Sequence, residues 1–158
     1  MAGDAGACHD RGMTDAPFDL DRFLPYLLNQ AAERTGRRFE PAYREGHGLS
    51  RAQWRILAHL GSHGEMTAAA VSRRSHTEKT KISRAVAALE GGGLLRRIAP
   101  ASDRRTEMLQ LTPAGIALFE TLSAQAVAFD RRLRAELGDE VARRLEAMLR
   151  TLMERGAA

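Results

Sequence analysis

Cys8 is the only cysteine in this 158-residue chain, and without an intrachain partner it excludes any internal disulfide framework. That agrees with a reducing compartment. No stretch approaches the roughly 18 consecutive apolar residues of a membrane-spanning helix. The opening MAGDAGACHDRGMTDAP has neither the basic start nor the apolar centre of a secretory leader. The expectation is a cytoplasmic protein with no membrane partner. The usual marks of an enzyme are missing too: no paired carboxylates with supporting spacing, no glycine-rich phosphate loop, no Ser or Cys nucleophile beside a base. His59 and His63 are four residues apart, as metal ligands on a helix would be. However, Gly61 lies between them and no Cys or carboxylate cluster joins them, so neither a metal nor another cofactor is expected.

Lysine is almost absent as well, and the two lysines, Lys79 and Lys81, fall in one segment. The net charge of +4 is unevenly placed. Residues 1–72 hold 8 basic and 9 acidic side chains, and residues 106–158 hold 7 and 8. Residues 73–105 hold 9 basic against 3 acidic, a local surplus of +6 that exceeds the charge of the whole chain. Such a patch is either a solvated helix face or the footprint of a polyanion site. With 44% hydrophobic and 28% charged residues the chain has the composition of a folded globular protein, and its length fits one domain.

Residues 1–17 are rich in Gly, Ala and Asp without apolar periodicity and read as a flexible tail. Phe18, Phe23, Leu24, Leu27, Leu28 and Ala31 then recur at helical spacing, predicting a helix that continues through Phe39 despite Gly36. Ser50 with Gln53 predicts a capping box ahead of a helix carrying Trp54, Ile56, Leu57 and Leu60, ended by Gly61 and Gly64. Thr67 and Thr77 read as N-caps of two further short helices joined around Ser75 and His76, a helix-turn-helix. In the second of them Ile82, Ala85, Val86 and Leu89 face inward, leaving Lys79, Thr80, Lys81 and Ser83 to solvent.

Gly91, Gly92 and Gly93 end that helix, and LLRRIA and TEMLQL read as two strands around the turn PASDRR. A hairpin directly behind a helix-turn-helix is a wing. Thr112 then caps a long helix with Pro113 at its first position, and Asp139 caps a last one bearing Val141, Leu145, Met148, Leu149 and Leu152 on one side. Apolar stripes this long have too little to pack on in a small domain, so the terminal helices are expected to clasp those of a second copy. The predicted architecture is mainly α (α+β): a winged helix-turn-helix lobe over residues 50–112, with dimerisation helices over 18–48 and 113–155.

The ordered set LSRAQWRILAHL, then EKTKISRAVAALEGGGLLRRIAPASDRRTEMLQLTPAG, resembles the multiple antibiotic resistance regulator (MarR) family of bacterial transcription factors. The likeness runs from Phe18 to about Arg155. It implies a homodimer on a pseudo-palindromic stretch of double-stranded DNA, acting as a repressor that a small aromatic or phenolic acid releases. Lys79, Thr80, Lys81, Ser83 and Arg84, with Thr77 at the helix start, match the family's major-groove helix. Asp103 and Arg105 match its wing-tip acid and minor-groove arginine, with Arg104 and Arg97 beside them. Lys81 stands where the family usually has a small hydroxyl residue, and Ala99 where a wing aspartate is common.

Effectors of the family's members sit in a cleft between the dimer helices and the DNA-reading lobe, which the resemblance lines here with Tyr26, Asn29, Arg38, His47 and Trp54. Two other functions are compatible with the fold: a redox-sensing regulator, and a winged-helix module that binds protein instead of DNA. The first is disfavoured by the place of Cys8, well before the Phe23–Tyr26 stretch where a sensor thiol would align.

Overall fold

The structure, a computed structural model, describes residues 18–99 and 107–156. Cys8 and the wing-tip residues Asp103, Arg104 and Arg105 lie outside the described residues. The chain divides into two compact units, and the division falls between Thr35 and Gly36. In the first, a 3₁₀ turn at Leu20–Arg22 is capped by Asp19, whose Oδ1 accepts from the Asp21 amide at 3.0 Å. Phe18 and Phe23 meet edge-on with centroids 5.5 Å apart. Helix α1 begins at Leu24 and continues, as expected, through Phe39, ending at Arg44.

In the second unit, α2 (Arg51–His63) starts at the predicted capping box: Ser50 Oγ accepts from the Gln53 amide and Gln53 Oε1 from the Ser50 amide. It does not stop at Gly61. The helix runs through to His63, with Gly64 as its C-cap in the left-handed region at φ 77°. The reason is lateral: a Cβ on Gly61 would lie 2.4 Å from the Phe119 ring, so glycine is there to admit that ring against α2. Helix α3 (Ala68–Ser75) is capped by Thr67 as expected, and α4 (Lys79–Gly91) follows after His76, a non-glycine residue with φ 47°.

Two of the expected caps are corrected. Thr77 does not cap α4; Glu78 takes the N-cap position without a side-chain bond, because the Thr77 hydroxyl is engaged in the preceding turn. Asp139 does not cap the last helix either. Gly138, at φ 82°, is its N-cap, and Asp139 is the first helical residue, where its charge complements the amide end of the helix dipole.

Strands β1 (Leu95–Ile98) and β2 (Met108–Leu111) pair antiparallel with Leu95 opposite Leu111 and Ile98 opposite Met108. Thr112 joins this hairpin to α5 (Pro113–Leu137): its Oγ1 accepts from the Gly115 amide at 3.1 Å and donates to the Gly93 carbonyl at 2.6 Å. Helix α6 is Asp139–Arg155. The core gathers Ile56, Leu57 and Leu60 of α2, Val71 of α3, Ile82, Val86 and Leu89 of α4, Leu95 and Leu109 of the hairpin and Leu122 of α5, all buried. Each such side chain stabilises the fold by about 1.5–3 kcal/mol.

On α6 only Ala142 is buried, while Val141, Leu145, Met148, Leu149, Leu152 and Met153 are exposed. Of these, Leu145, Leu149 and Met153 border an apolar groove of about 340 Å³ together with Leu133 and Leu137 of α5. An ion ladder edges it: Arg134 pairs with Asp130 at 2.7 Å and Glu146 at 2.9 Å, and Arg150 with Glu146 at 2.7 Å. No described helix is long and apolar enough to cross a membrane.

The tightest backbone approach in the lobe is at Gly115, where a Cβ would stand 1.9 Å from the Leu94 carbonyl oxygen. Gly115→Ala is therefore expected to lower stability by about 2–3 kcal/mol, seen as a lower denaturation midpoint with unchanged slope. Gly91→Ala, at a position with nothing within 4 Å, should be neutral or slightly stabilising. Equal stability of the two variants would refute the packing argument.

Candidate nucleic-acid interface

What α4 shows to solvent follows from what it buries. Ile82, Ala85, Val86 and Leu89 turn inward, so Lys79, Thr80, Lys81, Ser83 and Arg84 are all exposed along the opposite side. Lys81 lies 3.4 Å from the carboxylate of Glu78 one turn back, an exposed pair worth little in water. The positive end of the helix dipole and two ammonium groups coincide at the start of α4, a setting that favours anions.

The helix is held at its entry by a set of bonds that uses Thr77 internally. Arg55 of α2 donates from Nη1 to the Ser75 carbonyl at 3.2 Å and to Thr77 Oγ1 at 3.1 Å. Thr77 Oγ1 in turn donates to the Ser75 carbonyl at 3.1 Å, and Ser72 Oγ to the Thr77 carbonyl at 2.7 Å. Thr77 is half-buried, unlike the five residues that follow on the exposed face. Arg55 was not among the residues singled out from sequence; a lone arginine on an amphipathic helix gives no sign that it will brace a turn twenty residues away.

Arg97 on β1 points the wing back onto the same helix. Its Nε donates to Glu90 at the end of α4 at 3.1 Å and its Nη1 to Glu107. These hydrogen bonds, to Glu107 first and then Glu90, raise its pKa further and keep it charged. A hollow of about 230 Å³ is bordered by Ala68 and Ala69 of α3, Lys79 and Ser83 of α4 and Arg97. The structure thus brings Lys79, Ser83 and Arg97 around one concavity, while Asp103, Arg104 and Arg105 lie outside the described residues.

The residues expected to line an effector cleft are divided between the two units. Tyr26, half-buried, and Asn29, exposed, belong to the first unit. His47 is exposed in the turn after α1. Trp54 is a half-buried member of an aromatic cluster: it stacks on Tyr43 at 6.2 Å and tilts against Phe39 at 5.6 Å, and Phe39 meets Phe129 at 5.4 Å. Arg38 stands over Phe129, 5.7 Å from the ring centroid, and pairs with Glu136 at 2.6 Å. The Arg38 bond pulls the Glu136 pKa down, with Arg132 adding to the effect.

Arg38, Phe39, Gln125, Phe129 and Arg132 border a cavity of about 300 Å³ between the end of α1 and α5. Gln125, Phe129 and Arg132 are not singled out by the sequence, where Phe129 reads only as part of the long apolar stripe of α5 and the other two carry no pattern. On α2, burial and then His63, Arg74 and Arg55 push the His59 pKa down, so this imidazole is neutral at pH 7.

Because the Thr77 hydroxyl makes two bonds in the turn, Thr77→Val is expected to cost about 1–2 kcal/mol in chemical denaturation, with Thr77→Ser retaining most of the stability. If the valine variant were as stable as the unaltered protein, the turn would not depend on these bonds.

Comparisons with known proteins agree with this geometry. The sequence model described as the MarR family matches residues 47–106. A solved MarR family transcriptional regulator from Silicibacter pomeroyi DSS-3 is 32% identical, superposes with a TM-score of 0.77, and shares 87% of this chain and 97% of its own. The homoprotocatechuate degradative operon repressor of Escherichia coli is 26% identical over 133 residues, 84% of this chain and 89% of that protein. The fold is also that of Bordetella bronchiseptica BpsR, solved in a study of how 6-hydroxynicotinic acid regulates its DNA binding, at 22% identity and a TM-score of 0.75, over 87% of this chain and 98% of that one. These relatives are regulators and not enzymes. With the family's sequence model matched across the helix-turn-helix and the first strand of the hairpin, and a solved regulator alike over nearly its full length, the chain belongs to the MarR family of DNA-binding transcriptional regulators.

Proposed function

We propose that this protein is a homodimeric repressor whose two α4 helices read successive major grooves of a pseudo-palindromic operator, and that a small aromatic acid releases it. The observation that carries the reading is the exposed row Lys79, Thr80, Lys81, Ser83 and Arg84 on a helix whose opposite side is buried. On such a helix the side chains nearest its start meet base edges, and the remaining basic groups meet phosphates. Thr77 sets the helix entry, Arg105 is assigned to the minor groove with Asp103 steadying it, and Arg104 and Arg97 are assigned to phosphates or the neighbouring groove, Arg97 from its place beside Glu90 and Glu107. The second copy is called for by the exposed apolar stripe of α6 and the groove it shares with α5. Two-fold symmetry would place the reading helices about 34–36 Å apart, one turn of DNA.

The effector reading rests on the cavity beside Arg38 and Arg132. Two guanidinium groups suit a carboxylate, and Phe39 and Phe129 suit the face of an aromatic ring. This agrees with what is said of two relatives: one represses an operon for degrading homoprotocatechuate, and the other has its DNA binding regulated by 6-hydroxynicotinic acid. To weaken operator binding a hundredfold, the acid must favour the non-binding arrangement by about 2.7 kcal/mol.

Titration of the protein's own promoter by fluorescence anisotropy tests the DNA half of the reading. Affinity should fall about a thousandfold between about 50 and 200 mM salt if about six phosphates are contacted. Charge reversal at Lys79 and Lys81 should abolish binding while the dimer persists in analytical ultracentrifugation. A flat salt dependence, or binding unaffected by the reversal, would overturn it. For the effector half, Arg132→Ala should bind DNA as before but resist release by aromatic acids such as 4-hydroxyphenylacetate. Unchanged release in that variant would remove the cavity from the mechanism.

A further inference from the structure

The two imidazoles at the end of α2, His59 and His63, are used by neither half of the function proposed above. Their spacing is that of metal ligands, which a helix break at Gly61 would separate. The helix is unbroken from Arg51 to His63, because Gly61 serves to admit Phe119 and not to end the helix. His59 and His63 therefore sit one turn apart on a single face, with ring centroids 5.9 Å apart and planes inclined by 30°. A metal ion bound at about 2.0–2.1 Å from one nitrogen of each ring requires only modest convergence from this arrangement. His63 is exposed and has rotamers available for the movement.

We propose that His59 and His63 form a bidentate site for a late first-row divalent ion: Cu²⁺, Ni²⁺ or Zn²⁺. Two histidines at positions i and i+4 on one helix face converge on one metal ion in helical zinc motifs. Imidazole prefers these ions to Mg²⁺ and Ca²⁺, which seek oxygen. The cationic neighbours sharpen that preference. Arg55 on the same helix and Arg74 on α3 both act on His59 and repel any cation, so only an ion that bonds strongly to nitrogen gains enough to stay.

A ligand must offer a free lone pair, which a neutral imidazole does. Among the described residues no group of three or more His, Cys, Asp or Glu side chains is placed to hold a metal. The remaining positions on the ion thus belong to water or to an outside ligand. Occupancy would staple the last turn of α2 just ahead of Gly64.

The test uses the full chain labelled with ¹³C at histidine and titrated with Zn²⁺ while the ring signals are followed by NMR. The signals of His59 and His63 should move together and saturate at one ion per chain, with His47 and His76 as internal controls. Loss of a mere outer-shell partner costs about 10–100-fold in metal affinity, so His63→Ala should weaken the response of His59 at least about tenfold. That variant changes an exposed residue and should keep the helical circular dichroism of the unaltered protein, and His47→Ala should leave Zn²⁺ binding unchanged. Unmoved His59 and His63 signals at millimolar Zn²⁺ would overturn the proposal, as would an undiminished His59 response in the His63→Ala protein.

Discussion

The orientation of α4 is the constraint on which the rest depends. A helix of 13 residues presents only one face outward once its other face is buried, and here Ile82, Ala85, Val86 and Leu89 commit the inner face to the core of the lobe. Rotation by even a fraction of a turn would draw those side chains into water and push Ser83 or Lys79 into an apolar interior, at several kcal/mol for the apolar part alone. Position along the axis is set separately, by the Arg55, Ser72, Ser75 and Thr77 bonds at the entry and by the Arg97–Glu90 pair near the exit. A display of cations that is this firmly aimed differs from a solvated basic helix, whose side chains have no common direction to defend.

The second organising feature is the aromatic cluster of Phe39, Tyr43, Trp54 and Phe129, which joins the end of α1 to α2 and α5. Arg38 lies over one edge of it, bonded to Glu136. A planar acid entering beside Arg38 and Arg132 would contact α1 and α5 at once while Trp54 passes the same cluster on to α2. The helix that carries Trp54 also carries Arg55, the brace of the helix-turn-helix turn. That is a short physical route between the cavity and the reading helix, by ring contacts as far as Trp54 and by the Arg55 hydrogen bonds beyond it.

Much of this was legible in the residues. The capping box at Ser50 and Gln53, the Thr67 and Thr112 caps, the inward stripe of α4 and the two strands are local patterns, and local patterns are fixed by neighbours in sequence. The illegible parts share one cause. Gly61 read as a helix end because glycine usually ends helices, yet here a ring from α5, 58 residues later in the chain, explains it. Thr77 read as a cap because threonine before a helix usually is one, yet an arginine from α2 had claimed its hydroxyl. Arg38 was picked out as an effector residue while Arg132 and Phe129 were not, because nothing along the chain relates position 38 to position 132.

What the amino-acid order determined by itself was the inventory: the helices, the hairpin, the concentration of positive charge in residues 73–105, and the face of α4 that carries it. Those follow from periodicity, capping and composition, which act over a few residues. Only the tertiary structure decided which groups are already spoken for and which are left to act. It paired Arg97 with two carboxylates, gave Thr77 to the turn, set Arg38 beside Arg132, and carried α2 past Gly61 so that two histidines share a face. Hydrogen bonds and packing between distant segments depend on where the folded chain returns, and no local pattern encodes that.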